Sequence, residues 1–245
     1  MDLGLKGKVA LVTGTGSRIG YGRGIAMTLA GEGCGIISAD IDLDGAKQTA
    51  EEVEGLGGKA FAVRVNIADR SEVDQMITSA LEEFEKIDIL VNNAGTSSLL
   101  KPFIEMTRED WDIDIGVNLI GQMNVAQAVL PHMISQGYGR IINFTGGRGI
   151  PNISVYGAAK AGVIAFTEAL AREVARHGII VNGVGPGLGE TGLVHNAPAE
   201  FLEENRQRSA LKRLCTPDDV GPVVAFLASD LCSYMVGQFI HLGTF

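Results

Sequence analysis

This sequence predicts an α/β fold: a doubly wound, mostly parallel sheet with helices on both faces. Three observations lead there. Short apolar runs, such as KVALVT at Lys8–Thr13 and GIISA at Gly35–Ala39, alternate with segments of helical period along the whole chain. These strands lack the polar alternation of a sheet with one wet face, so helices are expected to cover both sides. A glycine-rich turn separates the first run from the first helical segment.

Taken in order, the Lys8–Thr13 strand ends in the glycine turn, and a helix follows over about Gly22–Gly31. Gly35–Ala39 is the second strand, 43–56 is helical, 59–65 is the third strand, 71–86 is helical and 87–91 is the fourth strand. Two helices fill 107–136, broken near the middle, ahead of the strand RIINF at 140–144. A long helix carries Tyr156 and Lys160 on to about His177, and GIIVNGV at 178–184 is the next strand. A loop, a helix from Asp218 to Ser229 and a last strand at Gln238–Leu242 follow. Right-handed crossovers wind such a series into a Rossmann-type sheet, with ligands outside the carboxyl ends of its strands. With no linker, repeat or low-complexity tract, residues 1–245 are expected to form one domain.

Composition narrows the function. The chain has 245 residues, 46% of them hydrophobic, enough to bury one large core. A net charge of −9 without a basic cluster argues against nucleic acid or an anionic membrane as partner. Cys34, Cys215 and Cys232 are scattered, and no His/Cys cluster suggests a metal, so a reducing cytoplasm is the expected setting. The segment MDLGLKGKVALVTG has no signal-peptide core, and no apolar run reaches the roughly 18 residues a membrane span needs.

The stretch Thr13–Ala26, TGTGSRIGYGRGIA, puts five glycines between a strand and a helix. A helix N-terminus with unhindered backbone amides can cradle a pyrophosphate. Asp40, at the end of the second strand, is placed to bind both hydroxyls of an adenosine ribose. Its charge would repel a 2′-phosphate and so favours NAD over NADP, whereas the Arg18 guanidinium could bind that phosphate. Helix capping is the alternative role for Asp40.

Tyr156 and Lys160 stand four residues apart on the long helix, so their heads share one face and one cleft. A phenol near its ordinary pKa of about 10 is a poor base at neutral pH, and a nearby cation favours its phenolate. The lysine is expected to need help here, from a cationic nicotinamide or a helix N-terminus.

With these residues placed, the chain resembles the short-chain dehydrogenase/reductase family over nearly its whole length. The matching motifs are the Thr13-Gly14 turn, Asn92-Asn93-Ala94-Gly95, Asn118, Tyr156-x-x-x-Lys160, Pro186-Gly187 with Thr191, and TPDDVGPVVAFLASD followed by YMVGQ. The resemblance implies that Tyr156 is the acid/base on the substrate oxygen. It implies that Lys160 binds the nicotinamide ribose and depresses the Tyr156 pKa, and that Asn118 holds a water in a proton relay. Gly14, Ser17, Arg18, Ile19 and Gly20 would line the diphosphate turn, with Asp40, Asn66 and Ile67 on the adenosine side. Asn93, Ala94 and Gly95 would shape the adenine-side wall and stabilise the central strand. Pro186, Gly187 and Thr191 would line the nicotinamide end and the diphosphate. Asn118 as a helix kink and Thr191 as a helix cap are the plainer readings.

Four departures from the family pattern stand out. The glycine turn is two residues longer than usual, so either Arg18 replaces the middle glycine or Gly20 and Gly22 are the later pair. Asn66 replaces an Asp against the adenine. Gly146 falls where the family has its catalytic Ser, and only ten residues separate it from Tyr156. Thr145 could supply the missing hydroxyl if the short loop shifts the chain, and Ser154 is a second candidate on the wrong side of Tyr156. Finally, the chain ends HLGTF, unlike the family tail.

The expected function is an NAD(H)-dependent oxidoreductase interconverting a secondary alcohol and a ketone, with Asn118, Thr145, Tyr156 and Lys160 as its catalytic set. The alternatives are a 3-oxoacyl thioester reductase using NADPH, or a nucleotide-binding protein whose turnover is weak because Gly146 replaces the serine. The segment Gly187–Arg213, with Leu193, Val194, His195, Phe201 and Leu202, is expected to cover a hydrophobic or cyclic substrate. The resemblance also implies a homodimer or homotetramer.

Overall fold

The strands are β1 (Val9–Thr13), β2 (Gly35–Asp40), β3 (Ala60–Arg64), β4 (Ile89–Asn92), β5 (Gly139–Phe144), β6 (Ile179–Gly185) and β7 (Phe239–His241). In this computed structural model, which describes residues 2–97, 100–189, 191 and 198–243, they form one seven-stranded sheet in the order β3-β2-β1-β4-β5-β6-β7. Each neighbouring pair is parallel. The order reverses between β1 and β4, so the carboxyl ends of these two strands flank a crevice suited to a ligand.

The sheet follows from the pleat. Along β1, Val9 and Leu11 enter one core and Ala10 and Val12 the other, all buried. Helices α3 (Arg70–Phe84), α5 (Gln122–Gln136) and α6 (Ser154–Val174) supply the first core. Helices α1 (Tyr21–Gly31), α2 (Leu43–Gly55) and α8 (Pro217–Ala228) supply the second. Both faces are covered, which is why the strands read as apolar runs.

Two elements differ from expectation. The break expected within 107–136 is a π-helical turn, Gly116–Gly121, joining α4 (Arg108–Ile115) to α5 without a stop. Helix α7 (Ala199–Arg208) occupies part of what reads as loop. It buries no residue, so no apolar stripe betrays it in the sequence. Phe201 and Leu202 lie on α7, partly buried, while Leu193, Val194 and His195 fall outside the described residues. Among the described residues, no helix is long and apolar enough to cross a membrane.

Candidate active site

The coenzyme side is built largely from backbone. Helix α1 starts at Tyr21, and its N-cap, Gly20, places no side chain on the first-turn amides. A Cβ on Gly22 would run into the Gly14 carbonyl oxygen, so Gly22 is what lets α1 close onto the strand end. The longer turn thus keeps Gly20 and Gly22 as its later pair, with Ser17, Arg18 and the exposed Ile19 on the loop between. The Ser17 carbonyl accepts from the Gly20 amide at 3.0 Å. Asn93 locks this turn to β4: its side-chain amide donates to the carbonyls of Thr13 (2.9 Å) and Gly14 (3.2 Å). The Ala94 amide donates to the Thr13 hydroxyl at 3.1 Å.

Asp40 lies at the end of β2, where its carboxylate accepts from the Gly16 amide at 2.7 Å and the Asp42 amide at 2.9 Å. Helix capping falls to Asp42, which accepts from Asp44 and Gly45 at the start of α2. The exposed Arg18 leans toward α2, donating to the Gln48 carboxamide at 3.2 Å, with Glu52 at 3.8 Å. Asn66 accepts from the Ala68 amide at 3.1 Å, and Ile67 is buried beside Gly121.

The catalytic side is built from side chains. Lys160 is buried, and its ammonium donates to the Phe144 carbonyl at 3.1 Å. The Gln122 carboxamide donates to that same carbonyl at 3.0 Å. Burial lowers the Lys160 pKa to about 7. Its nitrogen stands 5.7 Å from the Tyr156 ring centroid. Burial, with a contribution from the Asp114 carboxylate, pushes the Tyr156 phenol up to about 12. In the chain alone desolvation is the main cause of that rise, and the Lys160 ammonium is engaged with a carbonyl. Asn118 is fully buried in the π turn, where its amide donates to the carbonyls of Thr96 (2.7 Å) and Asp114 (2.8 Å). It shapes the helix and also reaches the cleft. A Cβ on Gly95 would lie 2.8 Å from the Asn118 oxygen and 3.5 Å from the Lys160 ammonium.

Thr145 does not take the place of the missing serine. Its hydroxyl donates to the Lys160 backbone carbonyl at 2.7 Å, and its amide to Val184 at 2.9 Å. The single hydroxyl proton is committed to α6, so the expected carbonyl-donor role is corrected to one of fastening β5 against that helix. Gly146 has φ +143°, a conformation side-chain-bearing residues rarely adopt. At Gly147 a Cβ would sit 2.6 Å from the Tyr156 ring, so the short loop lies directly against the phenol. Ser154, the second candidate, is exposed at the start of α6.

Beyond the carboxyl end of β6, Pro186 and Gly187 follow, and the Thr191 amide donates to the Gly189 carbonyl at 2.8 Å. A residue the motifs do not flag joins the two sides. Tyr21 donates its phenol proton to the Gly187 carbonyl at 2.9 Å and stands beside Cys215. Burial pushes its pKa far above the ordinary range. The signal available was an aromatic set between two glycines at a helix start.

The turn suits a dinucleotide: amides at an uncapped helix N-terminus face a crevice bounded by the Asp40 carboxylate. Residues 14–243 match the family model described as enoyl-(acyl carrier protein) reductase. The chain is 40% identical over 243 residues to a 3-oxoacyl-[acyl-carrier-protein] reductase of Thermotoga maritima, covering 97% of each. The chain belongs to the short-chain dehydrogenase/reductase family. A further relative is a (2S)-[(R)-hydroxy(phenyl)methyl]succinyl-CoA dehydrogenase subunit of Thauera aromatica, 35% identical over 245 residues, with coverage of 98% and 96%. A short-chain type dehydrogenase/reductase from Mycobacterium marinum superposes with a TM-score of 0.93 at 33% identity, over 98% of this chain and 96% of that one. This protein is accordingly an oxidoreductase that works with a nicotinamide coenzyme.

Proposed function

We propose that this enzyme interconverts a secondary alcohol and a ketone with NAD(H), with Tyr156 as the acid/base. The observation that carries the reading is the pairing of Tyr156 and Lys160, one turn apart on α6, with the Asn118 carboxamide beside the Lys160 ammonium at Gly95. When bound, the nicotinamide supplies or accepts the hydride. Tyr156 exchanges a proton with the substrate oxygen, and Lys160 holds the ribose hydroxyls. Asn118 positions a water behind Lys160, while Gly14, Ser17, Arg18, Ile19 and Gly20 surround the diphosphate. Asn66, Ile67, Asn93, Ala94 and Gly95 form the adenosine wall, and Pro186, Gly187 and Thr191 the nicotinamide end. Asp40 supports NAD(H), because a 2′-phosphate beside its carboxylate meets like-charge repulsion. The setting is cytoplasmic, and the assembly is a homodimer or homotetramer.

A second reading, reduction of 3-oxoacyl thioesters with NADPH, is favoured by what the relatives are named for. One assay separates the two: a panel of simple ketones, secondary alcohols and 3-oxoacyl thioesters, read by nicotinamide absorbance with each coenzyme. NAD(H) is expected to bind more tightly than NADP(H), and Asp40→Ala to narrow the gap about tenfold. A parent preference for NADP(H) in calorimetry transfers the specificity role to Arg18.

A further inference from the structure

One backbone oxygen beside α6 is shared by two buried side chains. The last β4–β5 pair sets Asn92 opposite Asn143, and Phe144 then ends β5. Past that pair, the Phe144 carbonyl accepts from the Lys160 ammonium at 3.1 Å and from the Gln122 carboxamide at 3.0 Å. Both donors are enclosed: Lys160 is 3% exposed and Gln122 0%. The two lone pairs of this oxygen are thus both used. Turning the carboxamide over would set two acceptor oxygens against each other, so its amide end faces Phe144.

Gln122 is costly where it stands. It opens α5 directly after the π turn, and its side-chain oxygen is buried without a hydrogen-bond partner among the described residues. An apolar side chain of the same shape would avoid that penalty, so the contribution of Gln122 lies in its amide end. The start of α5 is itself held in place, because the Asn92 carboxamide donates to the Gln122 backbone carbonyl at 3.3 Å and to the Asn143 side chain at 2.9 Å. Lys160 is tied to the same strand end twice. Phe144 takes its ammonium, and the Thr145 hydroxyl donates to its backbone carbonyl at 2.7 Å.

We propose that Gln122 is a positioning residue for Lys160: by donating to the Phe144 carbonyl it fixes that oxygen and limits its hold on the ammonium, so that the remaining ammonium protons serve the coenzyme ribose. This rests on the reading of Lys160 as the residue that holds the ribose hydroxyls. One ammonium proton is spent on Phe144 and the others are free to donate. The ammonium borders the cleft, since a Cβ on Gly95 would lie 3.5 Å from it. With the carboxamide removed, the ammonium becomes the sole side-chain partner of a buried carbonyl. It is then drawn toward the strand, and its charged form gains.

The ionisable surroundings do not change with Gln122. Among the described residues, Tyr156 stands near Lys160 on the same helix, and α4, which packs against α6, encloses Asp114. The π turn and β6 bring no ionisable group, and Arg140, Arg176 and His177 lie at the opposite ends of β5 and α6.

The test is calorimetry with ADP and with ADP-ribose, which differ by the terminal ribose. It is joined to an NMR titration of Lys160 in protein labelled with ¹³C-lysine, assigned against Lys160→Met. Gln122→Met, similar in size but without the donor, should weaken ADP-ribose about fivefold or more while ADP stays near the parent value. It should also raise the Lys160 midpoint by about half a unit or more, and Gln122→Glu, which adds a negative charge, should raise it further. An unchanged midpoint with an unchanged ratio of the two affinities overturns the inference. Equal losses for ADP and ADP-ribose overturn it too, because a loosened α5 alone would produce them. If Gln122→Met does not fold, Gln122→Glu supplies both readings. In the parent, the Gln122 side-chain amide protons should move with the Lys160 midpoint, and resonances that ignore it overturn the inference without any variant. A raised midpoint with an unchanged affinity ratio supports the coupling and overturns the place of Lys160 on the ribose instead.

Discussion

Around the glycine turn the site is made of backbone, whereas around Tyr156 it is made of buried side chains. Gly14, Gly20 and Gly22 bring chain segments together and leave amides facing the crevice, with Asn93, the Thr13 hydroxyl and the Asp40 carboxylate as side-chain clasps. On the other side, Lys160, Asn118 and Thr145 are all buried, and each donates to a backbone carbonyl. The first arrangement depends on geometry and tolerates many side chains at its non-glycine positions. The second depends on protonation states that neighbouring groups set for one another.

The sharpest way to test this division is to remove the phenol. Tyr156→Phe should cut turnover by about 10²–10⁴, the usual worth of a general acid/base, while coenzyme affinity stays close to the parent value. Single-turnover kinetics with calorimetry checks both halves. A comparable loss of coenzyme binding would show that the two regions are not separable.

Lys160→Met probes the cost of a buried ammonium. The Lys160 pKa falls from 10.5 in the open chain to about 7 in the folded one. Between those values the unfolded chain binds more protons, so the stability of the parent rises with pH across this window. Below about 7 the penalty is at its full size, and above about 10.5 it is gone. Lys160→Met lacks this slope. It should be more stable than the parent by about 1–3 kcal/mol near pH 6, with the difference closing toward pH 10, as read from urea midpoints. Parallel stability profiles for the two proteins would reject a strongly shifted lysine. Coenzyme affinity should fall in the same variant.

The sequence discloses these regions unequally. The sheet is legible because its central strands are buried on both faces, and the glycine turn because glycines between a strand and a helix have few other uses. Tyr156 and Lys160 are legible from helical spacing. Helix α7 is hidden because it buries nothing, and the π turn because its backbone shift leaves no periodic trace. Tyr21 acts through a contact distant in sequence, with Gly187. The role of Thr145 turned on where one hydroxyl points, which spacing does not encode.

Restoring the family serine should fail. Gly146→Ser puts a side chain at φ +143°, in open space but in a strained backbone conformation. The expected result is a loss of about 1–3 kcal/mol in stability and no gain in turnover. A faster enzyme of parental stability would mean that the loop relaxes readily and that the missing hydroxyl limits the rate.

The smallest effect is expected at Thr145. Were its hydroxyl the second donor to a substrate carbonyl, Thr145→Val would lower turnover by about 10²–10³, the worth of one such donor. The structure directs that hydroxyl to the Lys160 carbonyl instead, at 2.7 Å and out of solvent. Valine keeps the branched shape and packing but leaves this carbonyl one donor short. The penalty is that of a lost buried hydrogen bond, about 1–2 kcal/mol of stability. The carbonyl belongs to the residue that carries the ammonium, so a slight rotation of α6 would displace Lys160 and Tyr156 together. Turnover should therefore fall only a few-fold, with kcat and coenzyme affinity moving in step. A loss of about a hundredfold in kcat with unchanged coenzyme affinity and an unchanged unfolding midpoint would return Thr145 to the substrate.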